Sequence, residues 1–151
     1  MLRSELKDAL ATAMKGKDPR SVSTIRLILA ALKDRDIAAR SKGNMEGISD
    51  AEILTLLQAM VKQRRESAEL YEKGHRPELA QQENEEIVVI HRFMPAQMTE
   101  AEMRDAIAQI VTELGATSLK DMGRIMAALR ERHAGRMDFA KAGALIKEQF
   151  G

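Results

Sequence analysis

The chain has 151 residues, of which 44% are hydrophobic, 31% charged and 3% aromatic, and its formal net charge is +1. This balance is typical of a folded globular protein and excludes a disordered or strongly basic chain. Cysteine is absent, which excludes disulfides, thiolate nucleophiles and cysteine-ligated metal sites. With ten methionines and few aromatic residues, the core is expected to be aliphatic, as in packed helices.

Two helices are predicted in the first 40 residues. Apolar residues recur every four positions over residues 2–15 and predict a first helix. Asp18 before Pro19 is an N-cap signal for a second helix, which extends to about Arg40. The apolar row predicted for this second helix consists of Val22, Ile25, Leu29, Leu32 and Ile37.

Two further helices are predicted before residue 95. Residues 41–48 contain two glycines and no apolar periodicity, which predicts a surface loop. Ser49 and Glu52 have the spacing of a capping box, so a third helix begins there and ends at Gly74. The next apolar row predicts a fourth helix over residues 83–94, with an acidic first turn.

The remaining residues predict a small helical bundle. Residues 95–98 mark a boundary, because Thr99 and Glu102 immediately form a second capping box. Three short helices follow at about residues 99–114, 118–132 and 137–150. We therefore expect an all-α fold with a helical N-terminal subdomain, residues 1–95, and a three-helix C-terminal bundle, residues 96–151.

Enzyme motifs are missing from the sequence. The chain has no G-x-S-x-G, H-E-x-x-H or G-x-G-x-x-G pattern. Its histidines lie in different predicted elements and lack carboxylates at metal-ligand spacing; they are His75, His91 and His133. We therefore predict no catalytic residue, no metal site and no cofactor, and a chain that is not catalytic alone.

The start of the chain also bears on location. Residues 1–5 carry alternating charge without an apolar leader, and no later stretch has 18 uncharged apolar residues. A cytoplasmic protein without membrane contact is expected.

Basic residues offer a first candidate site. Residues 1–40 carry nine Lys and Arg against five Asp and Glu, which indicates either a solvated face or a polyanion site. In the third helix, Lys62, Arg64 and Arg65 share one turn, and Arg64 lies on the apolar stripe. Arg64 is expected either to form a buried or half-buried ion pair with Glu83 or Glu86 of the next helix, or to form an anion site with its two basic neighbours at an interhelical groove.

A second candidate site lies in the last two helices. Its residues are Gly123, Arg124, Arg130, Arg132, Gly135, Arg136, Lys141 and Lys147. A glycine at position 123 costs a helix about 1 kcal/mol relative to alanine, so either close helix packing or the close approach of a nucleic-acid backbone is expected there. Because exposed aromatic residues are few, any RNA would be recognised by its folded shape, phosphates and 2′-hydroxyls rather than by stacking.

Several ordered motifs resemble the YqeY (GatB/YqeY) family. They are Thr24-Ile25-Arg26, Ala30-Ala31-Leu32-Lys33, residues 60–67, residues 71–79, Phe93-Met94-Pro95 and residues 121–126. This family is similar to the C-terminal tail of GatB, a subunit of the glutamine-dependent aminoacyl-tRNA amidotransferase. The GatB-tail pattern is matched by Gly123, Met126, Gly135, Asp138 and Ile146-Lys147. The resemblance implies a helical protein whose C-terminal part faces the elbow of a folded tRNA.

Three functions follow as hypotheses. The first is a tRNA-binding accessory module, which the family resemblance and the Gly/Arg/Lys set favour. The second is an amidotransferase that acts only within a larger complex, because the family carries the label of carbon–nitrogen ligase with glutamine as amido-N-donor. The third is a protein–protein adaptor without an RNA role, which the acidic segment of residues 41–95 and its loop favour.

Overall fold

The computed structural model describes residues 1–150 as seven α-helices and one short 3-10 helix, without a strand among these residues. The predicted all-α class is confirmed. None of the described helices is both long and apolar enough to cross a membrane. The chain packs as two compact units, unit 1 from Met1 to Met94 and unit 2 from Pro95 onward. The division into an N-terminal subdomain of residues 1–95 and a C-terminal subdomain of residues 96–151 stays a prediction.

Unit 1 contains four helices. Their bounds are α1 Leu2–Lys15, α2 Pro19–Ser41, α3 Asp50–Lys73 and α4 Pro77–His91. The Asp18 carboxylate accepts the backbone N–H of Ser21 at the start of α2. Ser49 and Glu52 form the predicted capping box at the start of α3. Because these side chains satisfy N–H groups that have no partner inside the helix, they set where each helix begins.

The core of unit 1 is aliphatic, as the composition predicts. Its fully buried side chains include Leu6, Ile28, Ile53, Leu57 and Ile90. Burying a side chain of this size contributes about 1.5–3 kcal/mol to folding. Ile25, Ile28 and Leu32 form the inward face of α2, so the opposite face of this helix is directed to solvent.

Unit 2 contains three α-helices. Their bounds are α5 Glu100–Leu114, α6 Met122–Arg132 and α7 Phe139–Phe150. The predicted capping box of Thr99 and Glu102 starts α5, and Gly115 ends it in the left-handed conformation, with a φ of 63°. The buried core includes Met103, Ile107, Ile110, Ile125, Leu129, Met137, Ala142 and Ile146.

The predicted start of the fourth helix is wrong. α4 begins at Pro77 rather than Glu83, and it ends at His91 rather than Met94. Proline suits the first helical position, where its missing N–H is not needed. The first half of α4, residues 77–84, shows little apolar periodicity, because Ala80 is its one buried apolar side chain.

The first residues of two helices in unit 2 also differ from the prediction. The stretch Leu119–Asp121 is a 3-10 helix, so α6 begins at Met122 rather than at residue 118. The last helix begins at Phe139 rather than at residue 137. Met137 is buried all the same, so its apolar side chain belongs to the core without belonging to the helix.

Three residues of the predicted apolar stripes are exposed. Met14 near the end of α1 is 52% exposed, Ile37 near the end of α2 is 51% exposed, and Leu114 at the end of α5 is 36% exposed. Each continues the apolar spacing towards the end of a helix, where the core no longer covers it. Helical periodicity identifies one side of a helix, but it does not show how far along the helix the core extends.

Candidate nucleic-acid interface

Gly123 lies in the first turn of α6 on its exposed side. A Cβ atom built at this position has no neighbour within 4 Å apart from the local backbone. Close helix packing, the first alternative for this glycine, is therefore wrong. The space next to Gly123 is open to an approaching molecule.

Gly135 has a different reason to be glycine. It is buried in the turn between α6 and α7, and its φ of 76° lies in the left-handed region. Side chains with a Cβ atom rarely adopt this conformation. The carbonyl oxygen of Gly135 also accepts a hydrogen bond of 2.6 Å from the Gln97 side chain. Backbone geometry therefore accounts for this glycine without a ligand.

Three candidate cations are paired with acidic residues of α5. The Arg132 guanidinium lies 2.6 Å from the Glu113 carboxylate, and the Lys141 ammonium lies 3.5 Å from a carboxylate oxygen of Glu100. Arg136 lies 3.8 Å from the carboxylate of Glu102. The hydrogen bond from Arg132 lowers the pKa of Glu113 below its usual value.

The other candidate cations also have local partners, with one exception. Arg124 donates to the carbonyl oxygen of Leu114 at 2.9 Å. Arg130 lies over the ring of Phe139, 5.7 Å from its centre, as in a cation–π contact. Lys147 is exposed and forms no ion pair within residues 1–150. Sequence proximity therefore does not produce one free basic face in unit 2.

The second predicted cluster is not assembled into a site either. Lys62 and Arg65 are exposed, whereas Arg64 is only 12% exposed at its side chain. Arg64 Nε donates to Glu86 Oε2 at 2.8 Å, and its Nη1 donates to the carbonyl oxygen of Met60. The ion-pair alternative for Arg64 is confirmed, and the partner is Glu86.

The buried pair extends into a small charge network in unit 1. Arg20 contacts Glu86 at 3.7 Å and Glu85 at 3.1 Å. Glu83 forms no ion pair among the described residues, and burial, followed by repulsion from Glu86, raises its pKa. The network therefore neutralises Glu86 from two sides.

Sequence reasoning missed a set of free cations on α2. Arg26, Lys33 and Arg40 are exposed, and they form no ion pair with the described residues. Their spacing of seven residues was the available signal, because two turns of helix bring residues to the same side.

A metal site is absent from the part of the chain that the structure describes. Residues 1–150 contain no group of three or more His, Cys, Asp or Glu placed to hold a metal ion.

Comparison with protein families gives a match over nearly the whole chain. Residues 3–150 match the YqeY family, described as Yqey-like protein. The similarity to the YqeY family read from the motifs is confirmed.

Individual relatives are similar over part of the chain. A protein of Lachancea thermotolerans, named altered inheritance of mitochondria protein 41, mitochondrial, is 30% identical over 74% of this chain and 58% of its own length. Proteins of the same name from Eremothecium gossypii and Clavispora lusitaniae are 33% and 28% identical, over 62% and 76% of this chain and 49% and 65% of their own lengths. This chain thus spans about half to two thirds of these curated relatives.

The relatives contradict the expected location. All three are named as mitochondrial proteins, so the expectation of a cytoplasmic protein is wrong by this comparison. That expectation depended on the missing apolar leader. Mitochondrial transit segments are instead amphipathic and rich in arginine, and the lack of an apolar leader therefore does not indicate the cytoplasm.

Proposed function

The chain belongs to the YqeY-like family, and on that premise we propose that it is a tRNA-binding accessory module similar to the GatB tail. The ligand is the elbow of a folded tRNA, recognised through phosphates, 2′-hydroxyls and shape. In this proposal, amidation itself, the carbon–nitrogen ligase activity associated with the family, is carried out by a partner protein.

The open position at Gly123 carries the proposal. Glycine is less favourable than alanine in a helix, by about 1 kcal/mol in the interior. Gly123 lies in the first turn of α6, and no neighbour within 4 Å of a Cβ atom there requires its small size. The missing side chain at this position allows an RNA backbone to come close to the exposed side of α6. Glycine is the usual residue where a backbone must come close to a ligand.

The ion pairs of unit 2 are compatible with this proposal. The Arg132–Glu113 and Lys141–Glu100 pairs join partly exposed side chains, and exposed pairs contribute only about 0–1 kcal/mol. A phosphate can therefore replace the carboxylate partner at little cost. Lys147 needs no such exchange because it is already free of ion pairs among the described residues.

A salt titration of binding tests the proposal. Folded tRNA and a single-stranded RNA of equal length are compared with wild-type protein and with Gly123→Leu. We expect wild type to prefer folded tRNA, with an affinity that falls steeply as salt rises. Gly123→Leu should weaken binding about tenfold or more without lowering the melting temperature, because a Cβ atom at this position meets open space.

Ala108→Leu, at an exposed position of α5, is the matched control and should leave binding unchanged. Equal binding by wild type and Gly123→Leu would mean that Gly123 does not support the proposal. No salt-dependent preference of wild type for folded tRNA would overturn the proposal as a whole.

A protein–protein adaptor is the second candidate function, and a groove in unit 1 favours it. The groove between α2 and α3 has a volume of about 640 Å³. Its lining is mixed. The apolar residues are Leu27, Ala31, Leu56, Ala59 and Met60, and the polar or charged ones are Asp34, Arg35, Lys62, Gln63, Arg64 and Glu66. Leu27 is 47% exposed, and a groove with an apolar floor and charged edges can accept one face of an amphipathic helix. The hypothesis of an amidotransferase that acts only within a larger complex stays a prediction.

A further inference from the structure

Three cations form a straight row on the outward face of α2. Arg26, Lys33 and Arg40 are exposed, and successive members are separated by seven residues. Seven residues turn an α-helix through almost two full turns, so the three side chains lie on one side. We call them the α2 basic stripe. Ala30 and Ile37, which lie between them on the same side, carry no charge.

The core fixes the direction of this stripe. Ile25, Ile28 and Leu32 bury the opposite face of α2 within unit 1. The helix cannot turn its basic side inward without exposing these residues to water. The stripe is therefore held in solvent by the packing of the unit.

Neighbouring acids form no ion pair with the stripe. Asp36 lies four residues before Arg40 and attracts its charge, but the Asp36 carboxylate accepts its hydrogen bonds from Arg3 and from the backbone N–H of Ile48. No ion pair within residues 1–150 includes any member of the stripe. This differs from unit 2, where Arg132, Arg136 and Lys141 all have carboxylate partners.

The spacing of the stripe indicates the kind of anion that fits. Successive cations are separated by about 10 Å along the helix axis, and the row is about 21 Å long, from the rise of 1.5 Å per residue. A single small anion cannot contact more than one of them. A ligand with many regularly spaced negative charges can contact all three.

A membrane surface fits this geometry less well than a nucleic acid. Helices that lie on membranes insert a broad apolar face beneath their basic residues. The apolar face of α2 is already used in the core of unit 1, and Ile37 is the only large apolar residue in the row. Phosphates of a folded RNA need no insertion.

We propose that the α2 basic stripe binds the phosphate backbone of a folded RNA, as a contact surface of unit 1 separate from the predicted interface of unit 2. The inference rests on the proposed tRNA-binding function and names a second surface for it. It also gives a role to the Thr24-Ile25-Arg26 and Ala30-Ala31-Leu32-Lys33 motifs, which supply two of the three cations.

The test compares two triple variants of the full chain. The stripe variant is Arg26→Gln, Lys33→Gln and Arg40→Gln. The matched control is Lys7→Gln, Lys73→Gln and Arg76→Gln, which removes the same charge from exposed residues of unit 1 outside the stripe. Affinity for folded tRNA is measured between about 50 and 200 mM salt, where phosphate contacts dominate the salt dependence.

We expect the stripe variant to bind folded tRNA about tenfold or more weakly at the lower salt. Its plot of log affinity against log salt should be less steep by about 2–3, since each phosphate contact accounts for about 0.7–0.9. The control variant should change this slope by less than about one. Both variants should keep the wild-type melting temperature, because the replaced side chains are exposed.

Four results would overturn the inference. Equal weakening by both variants would mean that net charge alone matters. Unchanged binding by the stripe variant, with Gly123→Leu still defective, would reject the stripe and leave the tRNA function standing. Binding to phosphatidylserine vesicles is measured for the same proteins. If the stripe variant loses the vesicle binding of wild type and keeps its tRNA binding, the stripe contacts a membrane instead. No binding of wild type to folded tRNA would reject the proposed function and this inference with it.

Discussion

Arg64 illustrates how a charged residue can occupy an apolar stripe. Its guanidinium reaches Glu86 on α4 at 2.8 Å, and the side chains of both residues are only 12% exposed. The sequence predicted a buried pair but left two acids as partners, because Glu83 and Glu86 lie on the same side of a helix. Only the packing of α3 against α4 distinguishes them.

Replacing Arg64 tests the balance between charge and shape. We expect Arg64→Ala to lower the free energy of unfolding by about 2–4 kcal/mol, since it leaves a void and deprives a buried carboxylate of its closest partner. Arg64→Met should cost less because it fills the space, and Arg20 still contacts Glu86. Urea denaturation measures both. Equal stability of the two variants would contradict this view of the site.

The two glycines of the candidate interface are expected to respond in opposite ways to alanine. Gly123→Ala should raise the free energy of unfolding by about 0.5–1 kcal/mol, because the helix gains and the added methyl meets open space. Gly135→Ala should lower it by about 1–2 kcal/mol, because its φ of 76° is unfavourable for alanine. Thermal denaturation gives both values. Destabilisation by Gly123→Ala would indicate a packing role that the geometry lacks.

At the scale of elements, capping residues predicted the starts of three helices, whereas the remaining starts depend on how the helices pack. The starts of α2, α3 and α5 could be predicted because Asp18, Ser49 and Thr99 bond N–H groups within three residues of themselves. The start of α4 could not be found from apolar spacing. Its first half buries Ala80 rather than a row of large side chains, so the periodic signal is weak although the helix is well formed.

The loop before α3 is fixed by a contact that sequence spacing does not reveal. Arg3 on α1 donates to Asp36 on α2 at 2.7 Å and to the carbonyl oxygen of Ile48 at 2.8 Å. Asp36 in turn accepts the N–H of Ile48. A Cβ atom at Gly47 would lie only 2.7 Å from both Arg3 and Asp36. This glycine allows the loop to close over the pair.

The same pair predicts a dependence of stability on pH. The hydrogen bond from Arg3 is the main cause that lowers the pKa of Asp36 below its usual value of 3.8. A lowered pKa in the folded state means that the stabilisation is complete above the unfolded pKa, and that it is lost as pH falls through the folded pKa. We therefore expect Asp36→Asn to have a lower free energy of unfolding than wild type near neutral pH. On acidification below about pH 4, this free energy should fall less for the variant than for wild type.

Asp34→Asn, at an exposed position two residues away, is the control and should follow the wild-type pH profile. Urea denaturation at a series of pH values measures the effect. Parallel profiles for wild type and Asp36→Asn would show that this carboxylate contributes nothing specific to acid stability.

At the scale of the whole molecule, the fold could be predicted from sequence to a greater extent than the site. The helices and the core can be predicted from apolar periodicity and composition, because these are local properties of the sequence. The partners of Arg132 and Lys141 lie on α5, many residues earlier in the chain, and they depend on how the helices pack. The basic set of the last two helices is therefore largely neutralised, whereas the basic excess of residues 1–40 leaves unpaired cations on α2.

The predicted division of the chain into domains can be tested by separating them. Each unit has its own buried core, so residues 1–95 and 96–151 should each be helical when produced alone. The shorter fragment should be the less stable, because a chain of about 60 residues buries only about 60% of its unfolded surface. Circular dichroism during urea denaturation measures helix content and stability for each fragment and for the full chain. A split inside α5, after Ile107, is the control and should leave the second fragment unfolded. If residues 1–95 are unfolded alone, while the full chain unfolds in one transition, the two units form one folding domain.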